Sequence, residues 1–352
     1  MSNHPRILVN GRFVTQQRTG VQNFAHQLCE ELLQAGVDFE LVIPRNAQVL
    51  HPVHGVKTTT FGVLRGHPWE QLELPLLARW RSALLLNLCN TGPMGFSSQI
   101  TVLHDLAFLV NPKWFRPLFA RWYGFMVPRT IKNCQHVVTV SNQMKAELMN
   151  RFHLQGNRVS VLGNKVDQEL LTAHPEKPAS ITSDTSDFYL MVGSNDPRKN
   201  FEPALRVLAG EMGRKILVIG GSAQSFGPSG FFDNTNVIRL GRVGLNELKW
   251  AYMNAKALVS PSLYEGFGIP NLEAMALGCP LIVSDIPVFR EVCQTAACYF
   301  NPKELSTLAA AIHSFESDSD GKTVRINEGK TIFTRYQSEN RAKIIREITD
   351  MA

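Results

Sequence analysis

Short apolar runs alternate with longer segments of helical periodicity along nearly the whole chain. Strands separated by helix-length segments indicate βαβ units, and βαβ units build parallel sheets. Two such sets follow one another, so the pattern predicts an α/β protein with two Rossmann-like domains. The predicted strands are Ile7–Val9, Leu41–Ile43, Ala83–Leu88, Ile100–Leu103 and Val137–Val140 in the first set, and Tyr189–Val192, Lys215–Ile219, Val237–Leu240, Ala257–Val259 and Leu281–Val283 in the second.

The polar stretch Thr172–Asp187 separates the two sets, because it combines prolines with a Ser/Thr/Asp cluster. We therefore predict a first domain at 1–168, a second at 169–335 and a terminal segment at 336–352. Within that last segment, Gln337–Asp350 mixes isoleucines with charges and predicts a helix. Ligands of open parallel sheets bind beyond the carboxyl ends of the strands, so the expected site lies where the two domains face each other.

Composition fits this picture. At 352 residues the chain has room for two cores, and 44% hydrophobic with 19% charged residues is ordinary for a globular protein. No apolar run reaches the roughly 18–20 residues of a spanning helix, and the first residues lead directly into a strand without the apolar segment of a signal peptide. We expect a cytoplasmic location. The six cysteines form no CxxC pair and no zinc-like spacing, so neither disulfides nor structural zinc are expected.

Charge is divided unevenly along the chain. Residues 1–165 carry a formal charge of +9, and residues 166–352 carry −3. A basic half suits an anionic partner, but no nucleic-acid-binding motif is present. An anionic membrane surface or a pyrophosphate-bearing acceptor is the better match.

The segment 261–280, PSLYEGFGIPNLEAMALGCP, carries the most specific chemistry. Glu265 and Glu273 flank a glycine loop and Pro270, a residue suited to the first position of a helix. A helix N-terminus offers unpaired N–H groups to a phosphate, whereas carboxylates accept hydrogen bonds from hydroxyls. A ligand with both phosphates and hydroxyls is a nucleotide sugar. The alternative is that the first glutamate is a turn residue and the second complements the helix dipole.

A pair of cations follows the predicted strand Tyr189–Val192. Arg198 and Lys199 come after a glycine and a proline, where the next helix should begin. Two cations there oppose the helix dipole unless an anion bridges them, and a diphosphate would do so. The alternative is a solvated basic turn. No Asp-x-Asp sequence accompanies the pair, so we expect fixed positive charge rather than a divalent ion, and no cofactor.

Two features of the first half lie at strand ends. Gly20 forms a turn before an amphipathic helix, and His104-Asp105 follow Ile100–Leu103 at the carboxyl end of a parallel strand. Polar residues at the carboxyl end of a parallel strand face ligands in open α/β sheets. The alternative is that His104 is a structural histidine. Neither feature is specific by itself.

Together these motifs closely resemble family 4 of the retaining glycosyltransferases, which have the GT-B fold of two Rossmann-like domains around a central cleft. The resemblance rests on SLYEGFGIPNLEAMALGCP, which matches the E-x7-E signature, and on the match of GSNDPRKN to the G-x4-RKN element. It covers nearly the whole chain and implies a terminal helix crossing back to the first domain. One departure is Asn164-Lys165-Val166-Asp167, where the family commonly has glycine at the second position.

The resemblance implies a retaining, metal-independent transferase that moves a hexose from a nucleotide diphosphate to a hydroxyl. The expected acceptor is a glycan or a lipid-linked oligosaccharide of cell-surface polysaccharide such as O-antigen, and GDP-mannose is the guessed donor. It assigns the ribose to Glu273 and the transferred sugar to Glu265 and the backbone of Phe267, Gly268 and Ile269. It assigns the diphosphate to Arg198, Lys199 and Gly20, and the sugar or acceptor to His104 with Asp105.

Three other classes remain open. A catalytically inactive nucleotide-sugar-binding subunit would retain the fold without turnover. A GT-B nucleotide-sugar epimerase would need a further set of acid–base carboxylates. A Rossmann dehydrogenase is the weakest, because Gly220-Gly221-Ser222-Ala223 lacks the G-x-G-x-x-G spacing.

Two segments point to the acceptor or to the membrane. Pro112–Lys132 interleaves basic and aromatic residues and predicts a helix, which either lies on the inner face of the plasma membrane or packs its aromatic face inward. His67-Pro68-Trp69-Glu70-Gln71 resembles a WEQ element of related transferases and is expected near the acceptor.

Overall fold

The computed structural model describes residues 6–181, 187–221 and 232–350. The chain divides into two compact units, each with its own parallel sheet. The first unit comprises Met1–Leu106, Arg121–Asn164 and Glu339–Ala352, and the second comprises Ala107–Ala120 and Lys165–Ser338. The prediction of two Rossmann-like α/β domains is confirmed.

The sheet of the first unit has seven described strands in the order β3-β2-β1-β4-β5-β6-β7, and neighbouring strands pair in parallel. Five of them were predicted, because each carries the continuous apolar run of a strand buried on both faces. The strands are β1 (Arg6–Asn10), β2 (Phe39–Pro44), β3 (Lys57–Phe61), β4 (Ala83–Asn87), β5 (Gln99–Leu103), β6 (His136–Thr139) and β7 (Val159–Val161).

Helices connect these strands. A π-helical turn, Trp69–Glu73, joins the short helix α2 to α3, and Trp69 is completely buried in the core beside β1 and β4. The helices up to β7 are α1 (Gly20–Gln34), α2 (Gly66–Pro68), α3 (Leu74–Trp80), α4 (Ala107–Val110), α5 (Pro117–Asn133) and α6 (Asn142–Phe152).

The second sheet has six described strands in the order β10-β9-β8-β11-β12-β13, again all parallel. Its core includes Tyr189, Met191, Val259 and Ile282 from the central strands. The strands are β8 (Phe188–Val192), β9 (Lys215–Ile219), β10 (Val237–Gly241), β11 (Leu258–Ser260), β12 (Leu281–Ser284) and β13 (Ala297–Phe300). The helices are α7 (Gln168–Thr172), α8 (Phe201–Leu205), α9 (Leu245–Asn254), α10 (Ile269–Ala276), α11 (Pro287–Cys293), α12 (Ser306–Ser317) and α13 (Ser319–Gln337).

The last helix, α14 (Arg341–Asp350), belongs to the first unit. Its Arg341 is fully buried, donates to both oxygens of Glu31 on α1 at 2.7 and 3.0 Å, and lies over the ring of Phe24 at 5.1 Å. The predicted return of the terminal helix is therefore confirmed. Its predicted start at Gln337 is wrong by one turn, since α13 runs through Gln337 and a break follows.

The predicted helix at Pro112–Lys132 also needs correction. A 3₁₀ turn at Pro112–Trp114 comes first, Phe115 is extended, and α5 begins only at Pro117. A proline disfavours the helical conformation in the residue before it but fits the first helical position, so the helix starts there. Of the predicted domain boundary Thr172–Asp187, residues 182–186 lie outside the described residues, as do Ser222 and Ala223.

Candidate functional site

A tight loop after β8 positions Arg198 and Lys199. Gly193 leaves the strand with φ near +148°, and a Cβ atom there would lie only 3.2 Å from the Cε atom of Lys199. Asp196 then caps a 3₁₀ turn, Pro197–Lys199, by accepting a hydrogen bond from the N–H of Arg198 at 3.1 Å. The predicted cation pair is thus part of an ordered turn rather than a solvated one, and both side chains are buried.

Glu265 lies directly against both cations. The Nζ atom of Lys199 is 2.6 Å from Oε1 of Glu265, and NH1 of Arg198 is 3.2 Å from Oε2. The hydroxyl of Ser262 donates to Oε1 at 2.9 Å. Since β8 and β11 are neighbours in a parallel sheet, their carboxyl ends meet at one edge, and the loops that follow them bring these residues together.

This contact changes the expected electrostatics of the cation pair. We expected a bound anion to bridge Arg198 and Lys199, but the carboxylate of Glu265 already does so. Asp196 adds a second negative charge 3.5 Å from Nε of Arg198. The four side chains are formally neutral together, so a diphosphate binding here would compete with Glu265 for the cations.

The pKa of Glu265 is lowered by this environment. Burial alone would raise it, but Arg198 and Lys199 and the hydrogen bonds from Lys199 and Ser262 outweigh that effect. The carboxylate is therefore ionised at neutral pH.

The glycine loop after Glu265 leads into α10 as predicted. Gly268 precedes the helix with φ near +95°, and a Cβ atom there would lie 2.6 Å from the ring of Phe289. Only glycine fits this position without displacing the ring. Phe267 is buried edge-on against Tyr336, with ring centroids 5.2 Å apart. Within the described part of the chain, no residue accepts a hydrogen bond from the N–H groups of Phe267 or Gly268, so both can bind a ligand oxygen.

Glu273 is in the opposite electrostatic state to Glu265. It lies on α10, and the hydroxyl of Tyr252 donates to its Oε2 at 2.6 Å. Burial raises the pKa of Glu273, and the hydrogen bond from Tyr252 opposes it only in part. The charge of Asp167 raises the pKa further, and that of Lys199 lowers it by less. Cations therefore hold Glu265 ionised. Glu273 takes up a proton more readily than an ordinary glutamate, or accepts hydrogen bonds from hydroxyl groups.

The site residues predicted in the first half lie in the first unit. Gly20 is the exposed first residue of α1, where the side chain of Gln22 accepts a hydrogen bond from the N–H of Thr19 at 3.2 Å. Its predicted place before an amphipathic helix is correct.

His104 ends β5 in a buried position. Its Nε2 atom lies 2.9 Å from the carbonyl of Leu88, and its ring meets Phe24 edge-on at 4.8 Å. Burial lowers its pKa, so the ring is neutral at pH 7. Because Leu88 can only accept, Nε2 carries the proton and Nδ1 is an acceptor. Asp105 follows and is partly exposed.

Some partners of the site were not found from the sequence. Ser262 and Asp196 each stand a few residues from a predicted site residue, and their short polar side chains were the available signal. Tyr252 lies on another helix, and nothing in the sequence links it to Glu273. The departure at Lys165 has no structural cost, because Lys165 is not among the residues with positive φ.

Comparison with known families identifies the class of protein. The model described as "Glycosyl transferases group 1" matches residues 174–331, and the one described as "Glycosyltransferase Family 4" matches residues 18–170. The chain is 30% identical over 285 residues to O-antigen chain mannosyltransferase RfbU of Salmonella typhimurium, an alignment that covers 79% of this chain and 76% of the relative. The chain therefore belongs to glycosyltransferase family 4 and is a GT-B glycosyltransferase.

Other similar proteins agree. O-antigen chain mannosyltransferase B of Escherichia coli is 21% identical, with 70% of this chain and 69% of the relative covered. Sucrose-phosphate synthase from Thermosynechococcus elongatus superposes with a TM-score of 0.73 at 16% identity over 99% of this chain and 100% of that chain. WaaG, a glycosyltransferase involved in lipopolysaccharide biosynthesis, superposes with a TM-score of 0.68 at 12% identity over 98% of both chains. At these identities the two solved structures establish the fold alone.

None of the described helices is both long enough and apolar enough to cross a bilayer.

Proposed function

We propose that this glycosyltransferase moves a mannosyl residue from GDP-mannose to a hydroxyl of a glycan or lipid-linked oligosaccharide, with retention of configuration. The observation that carries the proposal is the cluster of Arg198, Lys199 and Glu265. Glu273 lies on α10, the helix that follows the glycine loop after Glu265. The names of the relatives, O-antigen chain mannosyltransferases of two bacteria, support the choice of sugar and the role in surface polysaccharide synthesis.

In this proposal Arg198 and Lys199 bind the diphosphate and stabilise the charge that develops on it as the sugar leaves. Glu265 holds the two cations in place before the donor arrives and accepts a hydrogen bond from the sugar. The N–H groups of Phe267 and Gly268 bind further donor oxygens, and Glu273 accepts hydrogen bonds from the ribose.

The proposed acid–base chemistry needs no protein base. The departing phosphate takes the proton of the acceptor hydroxyl on the face from which it leaves, which gives retention. His104, neutral and with Nδ1 as an acceptor, is proposed to orient a hydroxyl of the sugar or acceptor. Fixed cations are proposed to supply the positive charge that a divalent ion supplies in other transferases.

We also propose peripheral contact with the inner face of the plasma membrane, at a different surface from the predicted helix at 112–132. In α5 the ring of Trp122 packs against His67, and the ring of Tyr123 does so too, as in the inward-packing alternative. Two apolar side chains of α5, Leu118 and Phe125, are exposed, but a larger set of exposed apolar side chains lies between residues 63 and 80. They are Val63 (68%), Leu64 (37%), Leu72 (59%), Leu76 (58%) and Trp80 (78%).

The charges around this surface suit an anionic bilayer. Leu72, Leu76 and Trp80 recur every four residues and share one helix face, and the exposed Arg65 and Arg79 lie among them in the sequence. The same stretch holds two acidic residues, Glu70 and Glu73. Neither offsets the charge of the two arginines at this surface, because Glu70 is buried and Glu73 accepts hydrogen bonds from the N–H groups of Val63 and Leu64. An apolar face with Trp and Arg is typical of interfacial helices.

The proposed function is tested by a thermal-shift screen of nucleoside diphosphates and their sugars, followed by product analysis. A ligand that binds only the folded chain raises its melting temperature. GDP and GDP-mannose should give the largest shifts, GDP-mannose should be hydrolysed or transferred, and the product should have the anomeric configuration of the donor. Binding without turnover would favour an inactive subunit, and an altered nucleotide-linked sugar would favour an epimerase.

A further inference from the structure

A buried carboxylate in the first unit is surrounded by hydrogen-bond donors. Glu70 is 1% exposed, and its Oε1 accepts from Asn10 at 2.8 Å and from Thr91 at 2.7 Å. Its Oε2 accepts from NH1 of Arg12 at 2.5 Å and from Nδ1 of His67 at 3.0 Å. Although burial raises the pKa of Glu70, the charge of Arg12 and these hydrogen bonds lower it more, so Glu70 is ionised.

Stability does not explain this arrangement well. A buried ion pair often contributes little to stability, because the desolvation of both charges offsets their attraction. Glu70 also lies in the π-helical turn Trp69–Glu73, a geometry that is uncommon and recurs at functional sites. What the network does achieve is to fix the guanidinium of Arg12 in one position through its NH1 atom.

Arg12 lines a cavity of about 290 Å³ in the first unit. The polar residues around it are Arg12, Arg65, Thr15, Gln16, Asn46 and Gln48, and its lining includes neither Asp nor Glu. The side chain of Arg12 donates to Glu70 through NH1, and its Nε and NH2 atoms bond to no described residue. Arg65 is exposed and, among the described residues, has no ion pair or hydrogen bond through its side chain.

We propose that this cavity binds an oxyanion carried by the acceptor: either the phosphate that links the acceptor glycan to its carrier or the carboxylate of an acidic sugar. The inference rests on the proposed function, because that function assigns the single diphosphate of the donor to Arg198 and Lys199. Arg12 keeps two unbonded nitrogens besides its ion pair with Glu70, and Arg65 has no ion pair among the described residues. Such a pair of arginines suits an oxyanion, which arginine binds with two parallel hydrogen bonds.

The remaining lining fits a sugar beside that anion. The amides of Gln16, Asn46 and Gln48 offer both donors and acceptors, as a polyhydroxylated ligand requires. The hydroxyl of Thr15 already donates to the carbonyl of Arg12 and offers an acceptor. The volume lies at the lower end of the roughly 300–1,000 Å³ of small-molecule pockets. It therefore accommodates one anionic sugar unit rather than a whole oligosaccharide.

The variants that test the proposal are Arg12→Gln and Arg65→Gln. Arg45→Gln is the matched control, because Arg45 is exposed and stands between the lining residues Pro44 and Asn46 without lining the cavity itself. The probes are mannose 1-phosphate, glucuronate and methyl mannoside, titrated by NMR into the full chain with GDP present in excess. Excess GDP occupies the proposed donor site, so that the anionic probes report on the first unit.

The wild-type chain should bind at least one anionic probe at millimolar concentration and methyl mannoside about tenfold more weakly or not at all, since a hydrogen bond to a charged group is worth that factor or more. Arg12→Gln and Arg65→Gln should each remove this preference, and Arg45→Gln should retain it. Binding of the phosphate alone identifies a phosphate-linked acceptor, and binding of the carboxylate alone identifies an acidic sugar.

The proposal is overturned if the wild-type chain binds none of the anionic probes, or if Arg12→Gln and Arg65→Gln bind them as well as the wild type does. The thermal shift by GDP and the hydrolysis of GDP-mannose are measured on the same variants. If the wild-type chain shows neither the GDP shift nor hydrolysis of GDP-mannose, the proposed function fails. If it shows both but binds no anionic probe, only this inference fails. Intact GDP shifts also show that the variants are folded.

Discussion

The Nζ atom of Lys199 lies 2.6 Å from Oε1 of Glu265, and this contact joins the loop after β8 to the loop after β11. It places a cation proposed to bind the leaving diphosphate in direct contact with a carboxylate proposed to bind the sugar. The diphosphate of the donor would therefore either displace Glu265 from Lys199 or share Lys199 with it.

Lys199→Ala should lower kcat by about two orders of magnitude or more, because it removes a charge-assisted interaction with the leaving group. The assay is release of GDP from GDP-mannose at saturating donor. Lys303→Ala is the control, because Lys303 is an exposed cation of the same unit. Equal rates for Lys199→Ala and the control would remove Lys199 from the chemistry.

Glu265→Gln should lower turnover but tighten the binding of GDP severalfold. The substitution removes the charge that competes with the diphosphate for Arg198 and Lys199 while keeping the size of the side chain. Isothermal titration of GDP into wild-type and variant chains measures this effect. Weaker GDP binding in the variant would show that Glu265 does not compete with the diphosphate.

The stability of the wild-type chain should fall on acidification, and Glu265→Gln should reduce that dependence. The folded-state pKa of Glu265 is lowered, so its stabilising contribution is complete above its unfolded pKa of about 4.5 and is lost as the pH falls toward the folded value. Urea unfolding of both chains at a series of pH values tests this. Identical slopes of unfolding free energy against pH in the acid range would refute it.

Glu273→Gln should stabilise the ligand-free chain at neutral pH while it weakens donor binding. The pKa of Glu273 is raised by burial, so the folded state gains stability from protonation below that pKa and loses it as the pH rises through it. A neutral amide avoids that loss, and the melting temperature should rise by a few degrees. The shift induced by GDP should shrink. A lower melting temperature with an unchanged GDP shift would contradict both the electrostatic and the binding role.

Replacing Leu76 and Trp80 together by Ser should abolish flotation with vesicles that contain phosphatidylglycerol, because the exposed apolar face would lose its largest members. Val324→Ser is the control, since Val324 is 59% exposed on α13 in the other unit. Hydrolysis of soluble GDP-mannose should be unchanged in both variants. Persistent flotation of the double variant would exclude this surface, and a change of oligomeric state instead would identify it as a contact between copies of the chain.

The sequence was most informative where burial is strongest. Ten strands were predicted because each is a continuous apolar run, whereas three strands at sheet edges were missed. One of them, Lys57–Phe61, reads KTTTF and is largely exposed, so it pairs with β2 without leaving an apolar pattern. Edge strands depend on a neighbour that the local sequence does not specify.

The residues of the cluster around Glu265 were named from the sequence, but their contacts were not. The cation pair and the two glutamates were identified from their motifs, and the glycine at 268 from the loop that it forms. The pairing of Lys199 with Glu265 and of Tyr252 with Glu273 joins elements that are distant in the sequence. Only the strand order of the sheet brings the first pair together, and for that reason the neutral charge balance of the cluster was not anticipated.

The most direct test of the account is the affinity of the chain for GDP compared with GMP, measured for wild type and for Lys199→Ala. If Arg198 and Lys199 bind the diphosphate, the wild type should prefer GDP by about tenfold or more, since the second phosphate adds charge-assisted hydrogen bonds, and the variant should lose most of that preference. A preference for GDP that is the same in both chains would contradict the account.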